Sequence, residues 1–477
     1  MSNNESVINP EVINPEVSQE QGWVEAEWKD VQLGDRRLNW RLQDTAAKLA
    51  ARPTGSINQA CDEWADTKAT YRLFANQKVT DKKILTPHFA RSTERLKGYA
   101  VVLAVQDTTY LDYTHHPKTE GLGPIGTAQQ KLQGMVMHTT LFTTLTGLPL
   151  GLASQDIWIR DEKAKPLTDS QRQQLPIAQK ESNKWLTALT HTVKLLPDGT
   201  QAVTVGDSES DIFELFKHAE SLKTDLLVRA AQDRSIANAE ESRLWAHMES
   251  RSIRGYFQIE VPERNNEPKR STVVSVRFNR VTLKPPQHLR SQYTSMTLYA
   301  VLVREDEPPK AGTAVEWLLL TTVAVHSLED ALQRIQWYRQ RWQIEVYHKV
   351  LKSGCQVENT QLAKLERLLP FIALFSVIAW RLFWMTHIAR HEPDAPCTLI
   401  LADHEWQALY AHTHRSTRLP QHTPTVHQVV RWIARLGGFL ARKSDGHPGP
   451  TVIWRGWQRL QDISHTWLLL HPLPTCG

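Results

Sequence analysis

The sequence predicts an α/β protein in which a central sheet is flanked by helical domains at both ends. Two observations support this prediction. Continuous apolar runs, typical of strands covered on both faces, occur at YAVVLAVQD and AVTVGD. Segments with helical periodicity precede the first of these runs and follow the last. At 477 residues the chain is too long for one core, so we expect about two to four domains.

The composition is that of a globular protein. Hydrophobic residues make up 41% and charged residues 22%, and the net charge is +5. Such mild basicity is compatible with a polyanionic partner but does not require one. The scattered cysteines indicate neither a disulfide framework nor a zinc site, and they fit a reducing cytoplasm. They are Cys61, Cys355, Cys397 and Cys476.

The most hydrophobic stretch is LLPFIALFSVIAWRLFWM, which is nearly long enough to span a membrane. Pro370 and Arg381 interrupt it, so we interpret it as a buried core helix and expect no membrane partner. Residues 1–21 are polar and lack the regions of a signal peptide, which predicts a flexible tail.

Residues 22–97 have helical character, with arginines interleaved among apolar positions. We interpret them as a small helical domain with basic residues on its exposed face. An ordinary charged helix surface is the alternative.

From Tyr99 onward the sequence predicts three strands, then helix, strand, helix and strand. This order is that of a ribonuclease-H-like core, in which the first and fourth strands are neighbours. We expect these two strands to end at Asp107 and Asp207, which places the two carboxylates close together. The core is predicted over residues 98–390, with a β-strand insertion at about 232–325. A C-terminal helical domain is predicted over 391–477.

The segment WYRQRWQIEVYHKVLKSG predicts one helix with an unusual stripe. On a continuous helix, Tyr338, Arg341, Glu345 and Lys352 share an arc of about 60°, and Lys349 lies close to it. Salt bridges on a solvated face are the alternative interpretation, because Arg341 and Glu345 are spaced to pair. That alternative weakens once Glu345 is combined with two aspartates at strand ends.

Three converging carboxylates can hold two Mg²⁺ ions, and Mn²⁺ is a possible substitute. Such a pair of ions can stabilise both the attacking and the leaving oxygen of an in-line phosphoryl transfer. Three other acids compete as ligands. Glu209 and Asp211 lie on the turn and helix after Asp207, and Asp112 should face away from Asp107.

Several motifs resemble those of the bacterial insertion-sequence DDE transposases of the IS-four family, which carry a Tyr–Arg–Glu–Lys signature. That signature corresponds here to Tyr338, Arg341, Glu345 and Lys352, and AVQDTT and TVGDSESDI resemble the two aspartate motifs. LGDRRL and YRLFAN resemble the DNA-end-binding domain. EPPKAGTAVEWLLLT resembles the end of the β insertion, and RLGGF with WRGWQRL resembles the dimerisation region.

The resemblance implies a homodimer that synapses two terminal inverted repeats of double-stranded DNA. It implies 3′-end hydrolysis, hairpin formation, hairpin opening and strand transfer into target DNA. It also implies that Trp317 stacks on a flipped base and that other residues contact DNA. These DNA contacts are Tyr338, Arg341, Lys352, Lys349 and Arg229, with Arg36, Arg37 and Arg72 in the N-terminal domain.

The chain departs from the family pattern in its longer tail, its expanded loop Lys284–Ser295 and its histidine-rich C-terminal region. Two other functions remain open at this point. One is a DNA-binding regulator of transposition without catalysis, and the other is a ribonuclease-H-type nuclease that cuts DNA without joining it.

Overall fold

The computed structural model describes residues 22–127, 129–161, 168–237, 242–261, 269–309 and 313–471. The tail 1–21, Cys476 and part of the EPPKAGTAVEWLLLT motif lie outside the described residues, so the expectations for them remain predictions.

Five helices precede the sheet. They are α1 Trp23–Trp28, α2 Arg36–Ala51, α3 Ile57–Ala60, α4 Trp64–Phe74 and α5 Asp81–Leu96. The longest two begin at side-chain caps, since Asp35 accepts a hydrogen bond from the Arg37 N–H and Thr80 accepts one from the Lys83 N–H. The expected helical character of this region is therefore confirmed.

A buried ionic cluster joins these first helices to the sheet. Glu27 of α1 pairs with His88 and Arg95 of α5, and the His88 Nε2 accepts a hydrogen bond from the backbone N–H of Leu152, 3.0 Å away. Burial raises the pKa of Glu27, but the charges and hydrogen bonds of Arg95 and His88 lower it by more, so that the net pKa is about 2. The carboxylate is therefore charged inside the protein because two partners compensate for its lost hydration.

Ten strands form one mixed sheet. They are β1 Val101–Asp112, β2 Gly123–Ile125, β3 Leu132–Thr143, β4 Pro149–Trp158, β5 Gln201–Gly206, β6 Asp225–Arg229, β7 Gly255–Val261, β8 Arg270–Leu283, β9 Met296–Arg304 and β10 Glu316–Thr321. The order is β2-β3-β1-β5-β6-β10-β9-β8-β7, and β4 pairs with β3. The predicted neighbours β1 and β5 are adjacent and parallel. This is the mixed α/β architecture expected for a ribonuclease-H-like core.

One prediction about the strands needs correction. The first strand does not end at Asp107 but continues to Asp112, because its antiparallel pairing with β3 extends to Asp112–Gly134. Only the parallel pairing with β5 stops earlier, at Val105–Val205. The strands of the β insertion join this same sheet. The last of them, β10, pairs with β6 and so covers an edge that would otherwise expose unpaired backbone groups.

The remaining helices surround the sheet and form the C-terminal region. They are α6 Asp169–Gln174, α7 Asn183–Lys194, α8 Phe213–Leu222, α9 Leu244–Glu249, α10 Leu328–Arg339, α11 Trp342–Lys349, α12 Leu365–His391, α13 Asp403–His414, α14 Val426–Leu436 and α15 Pro450–Leu470.

Helix α12 is the apolar stretch predicted to be a core helix. By length and composition it passes as a membrane span, but 89% of its most apolar window is buried inside the protein. It packs against α5, β4, α14 and α15. Its interior arginine, Arg381, lies over the rings of Trp23 and Trp384, and its Nη2 donates to the Ile400 carbonyl, 3.2 Å away. The prediction of a buried helix is confirmed.

Candidate active site

Asp107 lies on β1, and Asp207 directly follows the neighbouring parallel strand β5. The parallel register pairs Val101 with Gln201 and continues to Val105 with Val205, and each aspartate comes two residues after the last pair. A backbone N–H orients each carboxylate. The Thr108 N–H donates to Asp107 Oδ1 at 2.8 Å, and the Glu209 N–H donates to Asp207 Oδ1 at 2.9 Å.

Glu345 approaches from helix α11, which packs against β1. Its Oε1 accepts a hydrogen bond from Arg341 Nη2 at 2.5 Å, and both side chains are largely shielded from solvent. The guanidinium of Arg341 also lies 6.0 Å from the centre of the Tyr338 ring. Three members of the predicted stripe are therefore in contact with one another.

The single helix predicted for this segment is wrong in two places. Helix α10 ends at Arg339 and α11 begins at Trp342, because the chain makes a tighter turn in which the Arg341 N–H donates to the Tyr338 carbonyl. A π-helical turn, Val350–Gly354, follows α11 and carries Lys352. A constant 100° per residue therefore does not describe the relation of Lys352 to Glu345.

Lys352 is directed to the far end of β1. Its Nζ donates to the Tyr110 carbonyl at 2.8 Å and lies 3.2 Å from Glu358. Lys349 is exposed on α11. In this structure Lys352 therefore contacts the Tyr110 carbonyl and Glu358, and Tyr110 lies a short distance along β1 from Asp107.

The electrostatics couple the three acids. Burial raises the pKa of Asp107 to about 7, and the charges of Asp207 and Glu345 raise it as well, while the Thr108 hydrogen bond and Arg341 lower it. A carboxyl group whose pKa is raised by burial and by like charges marks a site where negative charge is crowded.

Tyr338 belongs to the same electrostatic cluster. Burial raises the pKa of Tyr338, and the charge of Asp207 raises it too, while Arg341 and Arg229 lower it. The Tyr338 phenol therefore lies within electrostatic range of Asp207 and of both guanidinium groups.

Among the described residues, no three His, Cys, Asp or Glu side chains are grouped closely enough to hold a metal ion as they stand. The donor set nevertheless fits a hard divalent cation, because all three candidate ligands are carboxylates. Their mutual repulsion at Asp107 is what such a cation would relieve, and the Arg341 guanidinium currently neutralises Glu345. The residues present therefore fit Mg²⁺ or Mn²⁺.

The three competing acids have other partners. Asp112 Oδ1 accepts hydrogen bonds from the backbone and hydroxyl of Thr114, at 2.9 and 2.6 Å. Asp211 pairs with the buried Arg234 at 2.6 Å, and Glu209 pairs with Lys184 at 2.8 Å.

Trp317 and Arg229 lie beside Tyr338. The ring centres of Trp317 and Tyr338 are 5.5 Å apart in an edge-to-face arrangement, and Trp317 is only partly buried. Arg229 is exposed at the end of β6, and its Nη2 donates to the Glu316 carbonyl at 3.2 Å. An aromatic ring and a cation thus lie beside Tyr338, which itself lies within electrostatic range of Asp207.

The three N-terminal arginines line a second feature, a groove of about 690 Å³ between α2 and α4. Arg36, Arg37 and Arg72 are exposed there. Trp40, which is 57% exposed, and Lys78 also line the groove, and the sequence did not single them out. The signal for Trp40 was present, since a large aromatic ring stands between two arginines on the basic face of α2.

Comparisons with protein families match three successive parts of the chain. Residues 20–79 match a model described as Transposase DNA-binding, and this range contains the basic groove. Residues 172–379 match Transposase DDE domain, which contains Asp207 and Glu345 and begins after Asp107. Residues 377–465 match Transposase Tn5 dimerisation domain. The three matches cover most of the chain in the order of one transposase architecture. The chain belongs to the Tn5-like DDE transposases, which are DNA-binding enzymes of the nuclease type.

Proposed function

We propose that this chain is a cut-and-paste DNA transposase of the IS-four family with Asp107, Asp207 and Glu345 as its active-site carboxylates. The observation that carries the proposal is the level alignment of the two aspartates on adjacent parallel strands. Helix α11 packs against the first of these strands and brings Glu345 into the same electrostatic cluster.

The three carboxylates would hold two Mg²⁺ ions, or Mn²⁺ in their place. Bound divalent ions lower the pKa of a water or sugar hydroxyl and stabilise the attacking and leaving oxygens of phosphoryl transfer.

Arg341 has a role that its present contact suggests. Arg341 contacts both Tyr338 and Glu345. A DNA phosphate is a strong bidentate partner for a guanidinium, so phosphate binding would draw Arg341 away and release the Glu345 carboxylate. Arg341 would then hold the scissile strand while Glu345 becomes a ligand.

The other DNA contacts surround this centre. Trp317 would stack on an extruded base, since base stacking on an aromatic ring recovers about 1–3 kcal/mol of the cost of extrusion. Tyr338, Lys349, Lys352 and Arg229 would bind phosphates of the distorted end. Lys352 must exchange its contact with Glu358 to do so.

The proposed domain organisation follows from these roles. Residues 22–97 bind the transposon end through Arg36, Arg37 and Arg72. Residues 98–390 catalyse 3′-end hydrolysis, hairpin formation, hairpin opening and strand transfer. Residues 391–477 dimerise, so that two terminal inverted repeats are held in one synaptic complex, in the cytoplasm, before target DNA is captured.

The test is cleavage of a duplex carrying the terminal sequence that borders the gene, with and without Mg²⁺ or Mn²⁺. Asp107→Ala, Asp207→Ala and Glu345→Ala should each abolish nicking and hairpin formation while end binding in a gel-shift assay persists. The matched control is Asp112→Ala, which removes a carboxylate from the same strand and should leave cleavage intact.

Full cleavage by any of the three alanine variants would remove that residue from the site. Binding of the end by the wild-type chain without any cleavage in either metal would instead favour a regulator of transposition. Cleavage without joining of the 3′-hydroxyl end to plasmid DNA would favour a simple nuclease.

A further inference from the structure

The turn after Asp207 is anchored on both sides of Glu209. Asp207 begins a one-turn 3-10 helix, Ser208–Ser210, and its carbonyl accepts a hydrogen bond from Ser210 Oγ at 2.6 Å. Glycine is required just before it, because a Cβ on Gly206 would lie 2.2 Å from that hydroxyl oxygen. Asp211 is locked by Arg234 and by two backbone N–H groups at 2.8 Å.

The third contact of this turn is an ion pair with an unusual lysine. Lys184, on α7, has a side chain that is only 5% exposed, and its Nζ lies 2.8 Å from Glu209 Oε1. The ammonium lies 5.8 Å from the ring centre of Trp158 and 6.0 Å from that of Trp185. The lysine ammonium thus lies near two indole rings and contacts the turn, and it also lies 3.9 Å from Glu181 Oε1.

The backbone of Glu209 connects this ion pair to the active site. Its N–H donates to Asp207 Oδ1 at 2.9 Å while its side chain is bound to Lys184. Moving Glu209 would therefore move the hydrogen bond that sets the direction of the Asp207 carboxylate.

We propose that Lys184 and Glu209 are positioning residues that hold the Asp207 carboxylate in its metal-binding direction. Lys184 fixes Glu209 by charge, and Glu209 fixes Asp207 through its backbone N–H. Partners that orient a metal ligand typically account for about 10–100-fold in affinity or activity. The inference rests on the proposed role of Asp207.

The test uses the full chain and four variants: Lys184→Met, Glu209→Gln, their double variant and the exchanged pair Lys184→Glu with Glu209→Lys. Cleavage of the terminal duplex is measured across a titration of Mg²⁺ and of Mn²⁺. Mn²⁺ binding to the protein–DNA complex is followed separately by electron paramagnetic resonance. End binding and thermal unfolding are recorded for every variant.

Each single variant should weaken Mn²⁺ binding and slow cleavage by about 10–100-fold, with end binding unchanged. Because both act through one contact, the double variant should be no worse than the more affected single variant. The exchanged pair should recover part of the loss, which would not happen if Glu209 were itself a metal ligand. Glu209 is 54% exposed, so Glu209→Gln should remain folded even if Lys184→Met does not.

The matched control is Lys217→Met, which breaks a comparable ion pair with Glu220 on α8, at 2.7 Å. It should change neither Mn²⁺ binding nor cleavage. Wild-type affinity for Mn²⁺ and wild-type cleavage in Glu209→Gln would overturn the positioning role, as would losses that multiply in the double variant. Failure of the wild-type chain to cleave in either metal would instead refute the proposed function.

Discussion

Replacing Asp107 with asparagine should stabilise the protein while abolishing its activity. The Asp107 carboxyl has a pKa of about 7 in the folded chain, against 3.8 for an ordinary aspartate, chiefly because it is buried. Asparagine resembles the protonated acid and can still accept the hydrogen bond from the Thr108 N–H. The substitution therefore removes the cost of charging this position.

The sign and size follow from proton linkage. A raised carboxyl pKa favours the folded state at low pH, and this advantage is lost as the pH rises from about 4 to about 7. One pKa unit corresponds to about 1.4 kcal/mol. The raised pKa of Asp107 therefore lowers the free energy of unfolding by about 4 kcal/mol at pH 8 and by about 2 kcal/mol at pH 5, relative to low pH. The gain from Asp107→Asn should shrink accordingly as the pH falls.

Thermal unfolding of the wild type and Asp107→Asn in EDTA, at pH 5 and pH 8, measures this difference. At pH 8 we expect the variant to melt about 5 °C or more above the wild type, and at pH 5 the gap should be roughly half as large. Divalent cations should raise the melting temperature of the wild type more than that of the variant.

Asp112→Asn is a control of opposite sign on the same strand. Burial raises the pKa of Asp112, but hydrogen bonds from Thr114 lower it by more, so the net pKa lies below the usual value. Asp112→Asn should therefore destabilise the protein at pH 8 and do so less as the pH falls toward the lowered pKa. A pH-independent effect of Asp107→Asn, or a loss of stability at pH 8, would refute the reasoning.

Three further predictions concern other parts of the molecule. Glu27→Gln should lower the free energy of unfolding by about 3 kcal/mol at pH 7 and about 1 kcal/mol at pH 3, because the charged carboxylate stabilises the fold only above its pKa of about 2. Thermal unfolding at both pH values tests this, and equal losses of stability would contradict it. Arg72→Ala should weaken binding of all DNA sequences similarly and reduce the slope of log affinity against log salt by about 1, as measured by fluorescence anisotropy. Trp317→Ala should bind the transposon end normally but form hairpins about tenfold more slowly, with Trp317→Phe closer to wild type, in a gel assay that resolves nicked and hairpin products.

The proximity of the two aspartates was predictable because it depends on local patterns in the sequence, namely the apolar runs and the order of strands and helices. The runs before Asp107 and Asp207 are mostly apolar, with Gln106 and Thr204 as the polar exceptions, as is typical of strands buried on both faces. The order of strands and helices then made the two runs neighbours, and the observed parallel register places both acids at one level. What the runs did not show was the end of β1, since the residues after Asp107 pair only with β3.

The relation of Lys352 to Glu345 was not predictable, for a different reason. Periodicity assumes an unbroken helix, and this segment departs from the α-helix on both sides of α11. Each departure rotates the following residues relative to the preceding ones. The angle between Tyr338 and Lys352, which are fourteen residues apart, therefore cannot be calculated from a constant 100° per residue. The four-residue spacing of Arg341 and Glu345 falls almost entirely within one helix, and that contact is present.

Long-range ion pairs are outside the reach of local patterns altogether. Lys184 and Glu209 are 25 residues apart, and nothing in the polar helix around Lys184 distinguishes it from a solvated lysine. The environment of Lys184 becomes apparent only in the folded structure, where α7 packs on the sheet and the Lys184 ammonium lies near two indole rings.

The same electrostatics explain why an arginine stands among the proposed ligands. The charges of Asp207 and Glu345 raise the pKa of Asp107, so without a compensating cation the negative charge at this site would be unfavourable. Arg341 offsets part of that repulsion by pairing with Glu345, and its guanidinium also lowers the pKa of Asp107. If the proposed site binds DNA, a phosphate would compete for the same guanidinium and so would remove the compensating charge just when a divalent cation could replace it. The proposed site would then bind its metal most tightly with the DNA end already in place, and the free chain would have little tendency to cleave.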